Sequence, residues 1–172
     1  LELGRQAGST VSQLTVTDRG GVPADASAVM LNVTAVFPDG PGYLTVFPCG
    51  DTQPLASSVN YGPGGVVPNA VLAKVGEGGR VCIFTLVGTD VIVDVNGYVP
   101  AGGTPVTVVP TRVLETRSGP GLDTVDGLFE GGGRVAAGSV SELVVAGRGG
   151  VPDTADAVML NVTAVFPDDP GY

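Results

Sequence analysis

The sequence predicts an all-β protein, an antiparallel β-sandwich, and three observations carry that prediction. Glycine and proline supply 28 and 14 of the 172 residues, cutting the chain into short segments. Hydrophobic residues still make up 43% of it, so the punctuation separates core-forming runs and does not signal disorder. Within those runs the apolar period is two, that of a strand with one buried face. The Ala-rich 24–37 window has a helix-compatible composition. Its Val29, Val33, Thr34 and Val36 are β-branched, however, and side chains of that shape are restricted in helices.

Taken in order, a first strand is expected near Val11–Thr17. The second, Val29–Phe37, places Val29, Leu31, Val33, Ala35 and Phe37 on one face and Met30, Asn32, Thr34 and Val36 on the other. Further strands are expected near Tyr43–Phe47, Ser57–Tyr61, Ala70–Val75 and Val81–Leu86. In Asp90–Asn96, Val91, Val93 and Val95 alternate with Asp90, Ile92, Asp94 and Asn96. Turns are marked at 38–42, 62–65 and 76–79, and Asn96-Gly97 has the composition of another tight turn. This density of short strands points to a two-sheet sandwich of jelly-roll or immunoglobulin-like type. A closed barrel or a β-trefoil is the alternative; the trefoil is disfavoured because no threefold sub-repeat is present.

An internal repeat decides the organisation. Ala28–Asp39 recurs unchanged as Ala157–Asp168, and Arg19-Gly20-Gly21-Val22-Pro23 recurs as Arg148-Gly149-Gly150-Val151-Pro152. Aligned without a gap at an offset of 129, Gly4–Tyr43 and Gly133–Tyr172 are identical at 28 of 40 positions. Residues 1–100 are therefore expected to be a β-sandwich module lacking its N-terminal segment. Residues 101–110 would be a linker or edge strand, and residues 111–172 the N-terminal part of the next module. A window from a longer chain of such modules is the simplest account. The alternative is a protomer completed by a neighbouring chain through strand donation. In either case the partner is the protein itself, contacted head to tail in a linear assembly. The short Pro- and Gly-containing join at 100–110 favours a rod over flexible beads.

Composition narrows the function. The formal net charge of −9, with 8 basic against 17 acidic residues, argues against a nucleic-acid partner, which demands clustered Lys and Arg. No stretch approaches the roughly 20 apolar residues of a membrane-spanning helix, so no membrane insertion is expected. Histidine is absent, which removes the commonest general base and metal ligand. No catalytic, metal or cofactor set is expected, and the chain is not expected to be an enzyme. Lys74 sits in a strand-like run as a solvent-facing charge. Asp90 and Asp94, about 13 Å apart along one strand face, are too distant for paired-carboxylate hydrolysis.

Cys49 and Cys82, 33 residues apart, are expected to form a disulfide between two strands, as in extracellular β domains. Asn32 and Asn161 begin N-glycosylation sequons, Asn-Val-Thr in both copies, although a polar strand face is the better account of them. Tyr43, Tyr61 and Tyr98 are the candidate ligand-facing aromatics for a glycan partner.

One ordered set of motifs is distinctive. It runs Pro110-Thr111-Arg112-Val113-Leu114-Glu115-Thr116-Arg117, then Ala28–Phe37, Gly42–Gly50, Ala56–Tyr61 and Asp90–Val99, closing on Asp94-Val95-Asn96-Gly97-Tyr98. The set resembles a repeated, uncharacterised β-rich module of large secreted or cell-surface bacterial proteins. That resemblance implies extracellular, β-rich architecture and brings no catalytic residues. The resulting expectation is a structural subunit of an extracellular fibre, stalk or surface array. The alternative is a carbohydrate-binding or adhesive module accompanying a secreted enzyme.

Overall fold

A computed structural model of the chain describes residues 4–105 and 108–168. The chain divides into two compact units, Leu1–Pro105 and Val106–Tyr172, with the division falling inside the 101–110 segment. The β-branched run that opens at Val106 falls partly outside the described residues. Val108 and Val109, which are described, carry no strand.

The first unit is all-β. Its seven strands are β1 (Thr10–Thr15), β2 (Ala28–Val36), β3 (Gly42–Pro48), β4 (Val59–Tyr61), β5 (Val66–Lys74), β6 (Arg80–Thr85) and β7 (Asp90–Val99). They form two antiparallel sheets, a four-stranded one ordered β1-β6-β3-β4 and a three-stranded one ordered β5-β2-β7. Each sheet keeps two edge strands, so neither closes into a barrel. Only β3 and β4 are neighbours both in sequence and in a sheet. Every other connection crosses from one layer to the other, as a sandwich requires.

The period-two pattern explains the core. Val29, Leu31, Val33 and Ala35 of β2 are fully buried. They share one cluster with Leu44 of β3, Val59 and Tyr61 of β4, Ala73 of β5, and Val81 and Ile83 of β6. The alternate residues of β3 and β6 face outward, where Phe47, Cys49 and Cys82 form a second, smaller cluster against Phe84. Cys49 and Cys82 are disulfide-bonded with their Cα atoms 5.0 Å apart. Because Phe47 lies opposite Cys82 in the β3–β6 register, the bond staples neighbouring strands of one sheet and does not cross the core. The 76–79 turn seats against it: Glu77 N donates to the Cys49 carbonyl at 2.8 Å. A Cβ at Gly76 would collide with the Cys49 backbone.

Two sequence expectations change. Phe37 was placed with the inward face of β2, yet it is 60% exposed. It leaves the strand at φ 47°, its carbonyl accepting from Arg5 and its N–H donating to Gly65 O at 2.7 Å. Asn96-Gly97 is not a turn but lies inside β7, at a register shift opposite Met30/Leu31. Gly97 permits that irregularity because a Cβ there would meet the Met30 terminal methyl at 2.7 Å.

The second unit holds the sequence repeat without the strands. The turn of the first copy recurs closely. Asp18 N–Val22 O (2.8 Å) and Val22 N–Arg19 O (2.9 Å) become Gly147 N–Val151 O (2.9 Å) and Val151 N–Arg148 O (2.9 Å). Gly20 and Gly149 share φ 56°. The stretch identical to β2, however, forms no strand at 157–165 and is largely exposed. Strands need partners, and these 172 residues carry only one copy of the β5 and β7 sequences that flank β2.

Two measurements follow. The Cys49→Ala/Cys82→Ala double variant should lose roughly 3–4 kcal/mol in chemical denaturation, the chain-entropy cost of opening a loop of that size; an unchanged midpoint would show the staple to be idle. Extending the chain after Tyr172 by a second copy of Leu44–Val99 should convert 157–165 into a protected strand. Hydrogen exchange that stays fast there would refute the account of why the copies differ.

Candidate functional site

The candidate site residues separate once placed. Tyr61 is buried, and its hydroxyl lies 2.8 Å from Thr85 Oγ1 and donates to Tyr43 O at 3.2 Å. It is a core pillar joining β4, β3 and β6 and not a ligand-facing ring, because its alternation on a three-residue strand turns it inward with Val59. Tyr43 lies on the outward face of β3, its ring 5.8 Å from that of Phe84. Tyr98 is half-exposed near the end of β7, in the other sheet. The three tyrosines therefore form no common platform. Asn32 lies on the outer face of the three-stranded sheet, its amide 3.4 Å from the Asp94 carboxylate. Asn161 is exposed in the second unit, outside any strand. Lys74 is exposed at the end of β5.

Where the edge strands β1 and β7 face each other, a cleft of about 230 Å³ opens between the sheets. Leu14, Ile83, Val91 and Val93 line it, and Gln6 closes one end by donating to Ile83 O at 2.8 Å. It falls below the usual size of a small-molecule pocket and contains no titratable side chain.

Charge chemistry gathers in the loops. Arg5 clips the segment before β1 to the loop after β2 and to the start of β7, pairing with Asp39 at 2.6 Å and Asp90 at 2.8 Å and donating to Phe37 O at 2.8 Å. Its counterpart Arg134 repeats the clip on Asp168 (2.7 Å) and Phe166 O (2.9 Å), with Phe166 at φ 49° beside Phe37's 47°.

The richest cluster is in the second unit, and sequence reasoning passed over it. Residues 112–133 close into a loop through Glu115 N–Phe129 O (3.0 Å), Gly131 N–Glu115 O (2.9 Å) and Gly133 N–Thr116 O (2.8 Å). Glu115, only 8% exposed, receives Arg117 through Nε (2.9 Å), Nη2 (2.8 Å) and backbone N (3.0 Å), with Arg112 at 3.2 Å. Arg117's side-chain hydrogen bonds, followed by its backbone N–H, hold the Glu115 carboxyl down at about 2.

Near the loop's far side Asp126 grips Arg148 bidentately, at 2.6 Å to Nε and 2.7 Å to Nη2. That fork holds the Asp126 carboxyl at about 2 as well. Arg148 also donates to Leu128 O (3.2 Å), and its guanidinium carbon sits 4.7 Å from the centre of the Phe129 ring. It is left 7% exposed. The signal available in the sequence was the Pro-Thr-Arg-Val-Leu-Glu-Thr-Arg motif and its downstream acids, but nothing in their spacing shows which arginine meets which carboxylate.

No family model, no curated protein and no solved structure matches the chain.

The ion pairs set a pH dependence. Both carboxyls have pKa values lowered on folding, so their contribution to loop closure is complete above the ordinary carboxylate range, about 4. It is lost as pH falls through about 2. In a carboxyl NMR titration, Glu115 and Asp126 should show midpoints near 2, and Arg148→Ala should move the Asp126 midpoint towards about 4. Titration of both groups near 4 in the unaltered chain would mean that the loop is open.

Proposed function

We propose that the chain is a structural building block of an extracellular fibre, stalk or surface array, built from tandem sandwich modules of jelly-roll or immunoglobulin-like type and not a catalyst. The observation that carries this reading is the recurrence, at a constant offset of 129 residues, of sequence and local geometry together. The Arg-Gly-Gly turn and the arginine–aspartate clip across 34 residues are built alike in both copies. Repetition of one unit is what a protein needs when each unit supplies a fixed length.

Further support comes from the disulfide, which ties β3 to β6 and is a kind of bond favoured in oxidising, secreted settings. Under load, such a staple limits how much chain an unfolding module releases. The glycan-binding alternative gains nothing from the tyrosines, since Tyr61 is internal and Tyr43 and Tyr98 lie on different sheets.

Electron microscopy of the native material tests the reading. Filaments or arrays whose axial repeat equals one 129-residue module are the expected result. Isolated, monodisperse particles together with an intact mass no greater than that of these 172 residues would overturn it.

A further inference from the structure

We propose that strand β5 of the first unit pairs with β5 of a second copy of this chain, antiparallel across a two-fold axis at Leu72, and so joins two three-stranded sheets into one. β5 is an edge strand whose only sheet neighbour is β2. Two bonds at the ends of that pairing show which of its backbone groups are free. Just before the strand, Phe37 N donates to Gly65 O at 2.7 Å, and just after it, Val75 N donates to Ser27 O at 3.0 Å. Bonded and unbonded positions alternate along an antiparallel pair. Val67, Asn69, Val71 and Ala73 therefore spend their N–H and C=O groups on β2, whereas Val66, Pro68, Ala70, Leu72 and Lys74 turn theirs outward. Among the described residues no other backbone group bonds to that outward row. An open row of this kind is a template for another strand.

A segment ahead of the module would not cover this edge. In the second unit the preceding segment lies against the Arg-Gly-Gly turn, where a Cβ added at Gly149 meets Thr111 and Val113. At Gly20, its counterpart, an added Cβ meets Val95 of β7, on the opposite side of β2 from β5. Charge names the occupant. Thr52–Gly76 runs for 25 residues without an acid in a chain of net charge −9, and Lys74 is its only charge. That run holds β4 and β5, the adjoining edges of the two sheets. Elsewhere the acidic surfaces of two copies repel, whereas here a copy meets neutral chain and a cation. Leu72, on the outer face opposite Met30, is 46% exposed and supplies an apolar contact.

Pro68 sets the register. It has no N–H to give, so any pairing that includes it leaves a carbonyl of the other copy without a donor. Among the registers that keep Pro68 out, the one centred on Leu72 pairs the longest stretch, Ala70–Lys74. Leu72 then lies directly opposite Leu72 of the second copy, and Lys74 lies opposite Ala70, so no like charges face each other. Proline and lysine are residues that limit pairing at an edge, and here they leave one self-complementary segment between them. The contact is isologous and closes on two copies. It does not rest on the fibre reading, because two lone chains would pair in the same way, and its failure would leave the microscopy test above untouched.

Analytical ultracentrifugation of the full chain over a range of concentrations tests the contact. A reversible monomer–dimer equilibrium is expected. Leu72→Asp and Leu72→Lys, each placing like charges opposite one another, should each weaken it about tenfold. An equimolar mixture of these two variants should dimerise again, because the opposite charges then meet across the axis. Leu72→Pro removes the central N–H at a position of the same parity as Pro68, which the strand already accommodates, and should abolish the dimer. Calorimetry checks that the charged variants, altered at an exposed position, unfold at the unaltered temperature. A chain that stays monomeric into the millimolar range overturns the proposal. A dimer that survives Leu72→Asp, or a mixture that stays monomeric, also overturns it, by placing the contact elsewhere or in another register.

Discussion

The pairing of β2 along both of its edges is the constraint on which the first unit depends. All nine residues from Ala28 to Val36 align with β5 on one side, and the same stretch aligns with β7 on the other. Its four inward side chains are fully buried against strands of the opposite sheet. Fixing a residue's backbone costs about 1–2 kcal/mol, recovered only when burial and ladder hydrogen bonds arrive together. β2 cannot be extended by halves, because losing either neighbour exposes a row of backbone groups and uncovers the core. The second unit shows the consequence. The same twelve residues, without flanking strands, run as exposed chain at 157–168.

Local and long-range information therefore separate cleanly in this protein. The turn at 18–26 needs nothing beyond its own residues, with glycine where φ must be positive, and it forms with or without a sheet behind it. Where the first copy holds Ser9 and Asp18 at positive φ, the second has Gly138 and Gly147, so the demand for that backbone shape persists although the sheet does not. The arginine clip belongs with the turns: it spans 34 residues yet recurs at Arg134 and Asp168. Exposed pairs of this kind contribute little to stability. Their effect is to hold the loop after Val36 against the segment before β1.

That separation explains what was legible in the sequence. Six strands of the first unit lie close to where alternation and Gly/Pro punctuation put them, because the period of the pattern and the period of the pleat are the same physical quantity, whereas β5 begins at Val66, four residues before its expected start, and runs through Pro68. Failures cluster where side-chain alternation gives way to something else. Phe37 continues the apolar period but turns outward on a left-handed residue held by Arg5 and Gly65. Asn96-Gly97 has turn composition, yet it serves a bulge that makes room for Met30. Tyr61 was a candidate ligand-facing ring, and it packs beside its turn instead, its hydroxyl meeting Thr85 inside. The loop at 112–133 was the largest omission. It is organised by carboxylate–guanidinium geometry, for which linear spacing has no signature comparable to the strand period.

Those pairings also change the meaning of the acidic composition. All seven arginines make side-chain hydrogen bonds or ion pairs within the described residues: Arg5, Arg112, Arg117, Arg134 and Arg148 to carboxylates, Arg80 to Gln13 and Glu77, and Arg19 to a carbonyl. With Lys74 the one remaining side-chain cation, the excess of acids falls on the outside. Copies of such a module placed end to end repel one another through their surface fields. A contact between acidic surfaces has to be made where that repulsion is locally reversed, as the Arg148–Asp126 fork reverses it within the second unit. Burial then does the rest, since a bidentate carboxylate fork closed off by an aromatic ring is screened far less than a pair left in water.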